Sequence, residues 1–87
     1  AAGNLYVADG NASVIRRLTP TGEESVFAGQ PWQRGSIDGD RFSARFQDPC
    51  GLAIDQAGNL YVTDVVDHTV RKITADGTVT YGLGDLL

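Results

Sequence analysis

The sequence predicts an all-β fold built from small antiparallel sheets that repeat along the chain. Three observations carry that expectation. A long segment recurs at a fixed offset, the apolar runs are short and rich in Val, Ile, Leu, Tyr and Thr, and turn residues bound every run. Glycine supplies 11 of the 87 residues, about 13% against a usual ~7%, as a turn-rich chain requires.

The recurrence decides the architecture, because repeated units stack on one another. Gly3-Asn4-Leu5-Tyr6-Val7-Ala8-Asp9 returns as Gly58-Asn59-Leu60-Tyr61-Val62-Thr63-Asp64, an offset of 55. The same offset carries Ile15-Arg16-Arg17-Leu18-Thr19 onto Val70-Arg71-Lys72-Ile73-Thr74, Gly22 onto Gly77 and Gly29 onto Gly84. Ten positions between 3 and 29 are identical in both copies, and others exchange like for like, among them Ile15 for Val70, Arg17 for Lys72 and Leu18 for Ile73. The chain holds about 1.6 periods, with residues 30–50 seen once between the copies.

Strands are expected at about 4–9, 14–19, 23–28, 51–55, 59–64, 69–74 and 78–83. Pro20-Thr21-Gly22, Asp55-Gln56-Ala57-Gly58-Asn59 and Ala75-Asp76-Gly77 are the turns between them. Ile15-Arg16-Arg17-Leu18 could be read as one helical face, but Pro20 and Gly22 close it too soon for a stable helix. As a strand it places one apolar and one basic residue on each face, which suits an outer, partly buried position. Leu60-Tyr61-Val62-Thr63 is more apolar on both faces and should lie deeper, between neighbouring sheets.

Four-stranded sheets that are repeated and apolar on both faces are the blades of a β-propeller. The sequence divides into 1–29, a partial blade of three strands; 30–50, an inter-blade connection; and 51–87, one complete four-stranded antiparallel blade. The innermost strand of the first blade is missing from this count. A ring needs about 4–8 blades, so closure calls for further blades in cis or in trans, the latter including a homo-oligomer.

These residues resemble the NHL repeat family of β-propellers. Pro49-Cys50-Gly51-Leu52-Ala53-Ile54-Asp55-Gln56-Ala57-Gly58-Asn59-Leu60-Tyr61-Val62-Thr63-Asp64 follows its pattern, as does Val70-Arg71-Lys72-Ile73-Thr74-Ala75-Asp76-Gly77. Ala28-Gly29, Asp38-Gly39 and Ala44-Arg45-Phe46-Gln47-Asp48-Pro49 are similar to the connecting run of long bacterial NHL repeats. The sequence departs from the pattern at Val66 or Asp67, where an asparagine is usual, and at Tyr81-Gly82-Leu83-Gly84. The resemblance implies a six-bladed propeller used mainly for binding and scaffolding, with no shared catalytic set.

Composition narrows the partners. Eleven acids against seven bases give a net charge of −4, which disfavours nucleic acid and anionic membrane, since both call for clustered Lys and Arg. Residues 51–87 carry five acids and two bases. No apolar run approaches the ~20 residues of a membrane-spanning helix. One cysteine, Cys50, cannot form an internal disulfide and leaves the compartment unspecified.

Candidate sites are weighed against structural duties. Asp9 and Asp64 end equivalent strands and could hold a cation, but a residue that recurs in every copy more often serves the fold, here by accepting turn amides. Asp55 and Asn59 bracket a turn by the same logic. Asp38-Gly39-Asp40 starts like a calcium loop but lacks the late bidentate glutamate, so no metal or cofactor is expected. His68, with Asp67 beside it, has no nucleophile at a matching spacing, and is expected to be a solvated loop residue. Cys50 is expected to be packed.

The single-copy segment 30–50 is the most distinctive. It holds the only tryptophan, two of the three phenylalanines, and three arginines against three aspartates. Phe42 and Phe46, four apart, are consistent with a helical turn packed on the sheet. Trp32 and Arg34 have the composition of interface hot spots and are the candidate partner contacts. The expected role is a non-enzymatic scaffold for protein–protein interaction within a larger propeller. Alternatives are a short chain that self-assembles into a homo-oligomeric ring, natural or engineered, and part of a metal-dependent propeller hydrolase or lyase.

Overall fold

The computed structural model describes residues 3–66 and 68–85, the last five (81–85) by their backbone alone. Eight strands follow in order: β1 Leu5–Asp9, β2 Val14–Leu18, β3 Glu24–Ala28, β4 Gly39–Asp40, β5 Pro49–Ile54, β6 Leu60–Asp64, β7 Thr69–Ile73 and β8 Thr78–Asp85. They form a three-stranded sheet, β1-β2-β3, and a five-stranded sheet, β4-β8-β7-β6-β5. Every pairing is antiparallel. The described residues contain no helix.

The repeat survives in backbone detail. The β2–β3 turn closes with Thr19 N–H to Glu23 O and Gly22 N–H to Thr19 O, both 2.9 Å, and the β7–β8 turn repeats these bonds at Thr74, Thr78 and Gly77 with the same lengths. Gly22 and Gly77 have φ of +92° and +95°, the left-handed conformation that glycine adopts without steric cost. Register shifts interrupt β2 at Ile15/Arg16 and β7 at Val70/Arg71, again equivalent positions. Ser13 and His68, also 55 apart, both have positive φ, 61° and 56°.

β4 is an addition to the expected strands. Gly39 and Asp40 leave the connection to pair with Val79 and Thr78 at the outer edge of β8, covering an edge that would otherwise be open. The expected helical turn across Phe42 and Phe46 is corrected. Ala44 N–H bonds Asp40 O at 2.9 Å, a single turn, and the chain then extends so that Arg45 bridges Ile37. Phe46 is buried and Phe42 is exposed, so the two share no face.

The core lies between the two sheets. Ile15, Phe27 and Ala28 from the first sheet meet Leu60, Val62, Ile73 and Val79 from the second, with Ala44 and Phe46 of the connection among them. Tyr6 and Ala8 pack against the first side and Leu52 against the second; Tyr6 and Phe27 stand edge to face at 5.0 Å. β1 thus turns Tyr6 and Ala8 inward, while β6 turns Leu60 and Val62 inward, the opposite alternation. Two equivalent strands bury opposite faces because one sheet stacks in front of the next in one direction. Leu60 and Val62 are 3% and 0% exposed, and their equivalents Leu5 and Val7 are 62% and 50% exposed.

Candidate interaction surface

The connection is held by a clasp of two side chains from the second sheet. Asp64, at the end of β6, accepts the backbone N–H groups of Gln47 at 2.9 Å and Asp48 at 3.2 Å, and also that of Val66 at 3.1 Å. Arg71, fully buried on β7, donates to the carbonyls of Arg45 and Ile37, both at 2.9 Å, and to the Asp38 carboxylate at 2.8 Å. Its guanidinium stands 5.0 Å from the centre of the Phe46 ring. A planar cation with five donors suits a site ringed by carbonyls.

The sequence-level readings of the acidic residues can now be placed. Asp9 accepts from Ala12 N–H at 3.2 Å and from Arg16 Nε at 2.8 Å. The hydrogen bond from Arg16, then that from the Ala12 amide, holds its carboxyl below the usual aspartate range. Asp38 is the partner of Arg71, whereas Asp40 accepts from the N–H groups of Phe42 and Ser43, so the two point to different tasks. The amides of Ser43 and Phe42 lower the Asp40 pKa. Asp55 accepts from Asn59 N–H at 2.9 Å and from Tyr61 Oη at 3.1 Å. These bonds lower Asp55, chiefly through the Asn59 amide, and raise the Tyr61 hydroxyl. Among the described residues no three His, Cys, Asp or Glu side chains form a group that could hold a metal.

His68 is exposed and takes the left-handed turn position; its neighbour Asp67 lies outside the described residues. Cys50 is also exposed, which corrects the packed expectation. The β5–β6 register shifts between Pro49 and Gly51, leaving Cys50 as the extra residue of a bulge, unpaired and turned out.

Trp32 and Arg34 both lie exposed on the connection, on a part of it tethered at either end. Trp32 N–H bonds Ala12 O in the β1–β2 turn at 2.8 Å, and Gly35 N–H bonds Phe46 O at 3.1 Å. Trp32 is 73% exposed with φ of +66°, a conformation uncommon for a bulky side chain. The β1–β2 turn, this loop and the β6–β7 turn meet at one end of the sheets: Ser13 Oγ donates to Gln47 O at 2.7 Å, and Val65 N–H to Asp48 O at 3.3 Å. Exposed Val65 and Val66 lie at that same end. Sequence reasoning ended the strand at 64 and named Val66 only as a departure from a usual asparagine, so neither valine was marked as a surface residue.

Comparison with known proteins agrees with this architecture. Residues 46–73 match the family model of the NHL repeat. Over 71 residues the chain is 31% identical to the protein SUPPRESSOR OF QUENCHING 1, chloroplastic, of Arabidopsis thaliana, a match covering 82% of this chain and 7% of that protein. A solved structure of a protein of unknown function from Bacteroides thetaiotaomicron superposes with a TM-score of 0.83 at 36% identity, over 95% of this chain and 22% of the other. An auxiliary nutrient binding protein from Bacteroides ovatus superposes with a TM-score of 0.76 at 26% identity, over 91% and 22%. The chain therefore spans about a fifth of the solved structures it matches and under a tenth of the plant protein. With a matched repeat, a second copy of it at an offset of 55, and two stacked antiparallel sheets, this is an NHL-repeat chain of β-propeller type.

Proposed function

We propose that the chain is a non-enzymatic scaffold whose work is protein–protein interaction, with Trp32 and Arg34 as contact residues. One observation carries the reading. Trp32 is a large aromatic residue exposed to water, held in a left-handed backbone conformation by a 2.8 Å hydrogen bond to Ala12. Among the described residues the other two non-glycine residues with positive φ, Ser13 and His68, occupy one equivalent position in the two copies of the repeat and serve the turn. Trp32 belongs to neither copy. Strain at an unrepeated exposed aromatic residue is better accounted for by contact than by folding. The Bacteroides ovatus relative, described as an auxiliary nutrient binding protein, supports binding over catalysis.

The test places a photo-crosslinking amino acid at position 34 in one protein and at exposed Gln56 in another. Partner capture through position 34, absent from position 56 and reduced at least tenfold by Trp32→Ala, is the expected result. Equal capture at the two positions, or turnover of lactone or ester substrates by the purified protein with added calcium or zinc, would count against the reading.

A further inference from the structure

Val66 breaks the repeat at a position where the fold itself calls for no apolar side chain. Val65-Val66 corresponds to Gly10-Asn11 in the first copy, and the two positions face different surroundings. A Cβ on Gly10 would meet the Asp48 carboxylate, on the segment that leads into the second sheet. Asn11, by contrast, is exposed with that second sheet packed beside it. Position 11/66 therefore stays at the surface when another sheet stacks alongside, and a polar residue serves it in the first copy. Val66 is 48% exposed there.

A single exposed aliphatic residue is ordinary, but Val66 is fixed relative to Trp32 and Arg34. Gly35 N–H bonds Phe46 O at 3.1 Å. Next along the chain, Gln47 N–H bonds the Asp64 carboxylate at 2.9 Å, and the same carboxylate accepts Val66 N–H at 3.1 Å. Trp32 is anchored at the other end of this path by Ala12 O. Arg34 lies on the path between the two apolar residues. It is exposed, and its guanidinium has no hydrogen-bond or ion-pair partner among the described residues. The other charges of the connection are engaged locally. Arg45 donates to the carbonyls of Phe42, Ser43 and Ala44. Asp38 pairs with Arg71, and Asp40 accepts the amides of Phe42 and Ser43.

We propose that Trp32, Arg34 and Val66 form one docking site for a short extended segment of a partner protein, in which an acidic residue stands between two apolar ones. The apolar side chains rest on Trp32 and Val66, and the carboxylate pairs with Arg34. This assignment rests on the reading of Trp32 and Arg34 as contacts, and adds to it a second apolar anchor and the charge of the partner. An aromatic residue and an arginine are effective anchors, and complementary charge selects among partners. The hydrogen-bonded path holds the three residues in place before binding, which lowers the cost of ordering them.

The probe is a display library of random ten-residue peptides, selected against the immobilised full chain. The most enriched peptide is then labelled with fluorescein and titrated by anisotropy. Enriched sequences should place Asp or Glu between aliphatic or aromatic residues, with half-saturation below about 1 mM. Trp32→Ala, Arg34→Glu and Val66→Asn should each weaken binding at least fivefold, and added salt should weaken it as well. Val66→Asn matches the residue of the first copy, so its thermal unfolding should equal that of the parent. Binding indifferent to Val66→Asn would overturn this site and leave the contact reading of Trp32 and Arg34 standing. Binding indifferent to Trp32→Ala would remove both. Three other results would also overturn the site: no enriched peptide, enriched peptides that are basic or uncharged, or self-association of the chain abolished by these same variants, which marks a second copy as the occupant.

Discussion

Arg71 holds its guanidinium 5.0 Å from the centre of the Phe46 ring while donating to the carbonyls of Arg45 and Ile37. The repeat supplies its control. Arg16 occupies the same position of the first sheet but pairs instead with Asp9, the equivalent of Asp64, at about a quarter exposure of each side chain.

The contrast predicts unequal costs for one substitution. Arg71→Ala removes one of the two donors to each of the Arg45 and Ile37 carbonyls, the partner of half-exposed Asp38 and a fully buried side chain beside Phe46, and should destabilise the chain by about 2–4 kcal/mol. Arg16→Ala, which removes a partly exposed pair, should cost no more than about 1 kcal/mol. Arg71→Lys should fall between them, because a single ammonium cannot reproduce the fork. Urea denaturation of the three variants measures the order.

Gly29 has φ of +86°, and a Cβ there would lie 3.1 Å from Ser13 O and 3.2 Å from a Phe46 ring carbon. Strain and crowding act together, so Gly29→Ala should destabilise by about 1–3 kcal/mol. Gly22→Ala, at φ of +92° with nothing within 4 Å, isolates the backbone part and should cost about 1 kcal/mol. Thermal unfolding of both variants separates the two contributions.

Acid should unfold the chain from a defined window. Asp9, Asp40, Asp55 and Asp76 are all lowered by hydrogen bonds that exist only in the fold. A carboxyl lowered by folding contributes stability that is complete above its unfolded value, about 3.9, and is lost as pH falls through the folded value. Stability should therefore be flat above about pH 5 and decline below it. Asp55→Asn, which keeps an acceptor but does not titrate, should make that decline shallower. Urea titrations at a series of pH values report the slopes.

Trp32 is the sole tryptophan, so its fluorescence reads one site. Emission should resemble that of tryptophan in water and be quenched efficiently by acrylamide. A blue-shifted, protected signal in a complex would locate the partner at this loop.

Much of the fold was legible because it repeats. Strands β1–β3 and β5–β8 were set by short β-branched runs and by turns whose glycines recur at one spacing. β4 was not legible: Gly39 and Asp40 have no strand pattern, and it is the open edge of β8 that recruits them. Burial of Arg71 was missed for a related reason. Alternation alone placed one basic residue on each face of an outer strand, and nothing local shows that a loop will fold over one of them. A signal was present, since position 16/71 keeps arginine in both copies whereas 17/72 exchanges arginine for lysine. Phe42 and Phe46 were paired by spacing, yet the turn capped by Asp40 ends between them. Trp32 and Arg34 were legible as candidates from composition alone; the tether to Ala12 was not.

The clasp also sets an order of events during synthesis. Asp64 and Arg71 reach back 16 to 34 residues to seize the loop that precedes their own sheet. A sheet of this kind can therefore lock onto its predecessor as soon as its own strands leave the ribosome, so maturation runs from the N-terminal side, one module at a time. Force profiling of stalled nascent chains should show a pulling event once β8 has cleared the exit tunnel, and Arg71→Ala should weaken it.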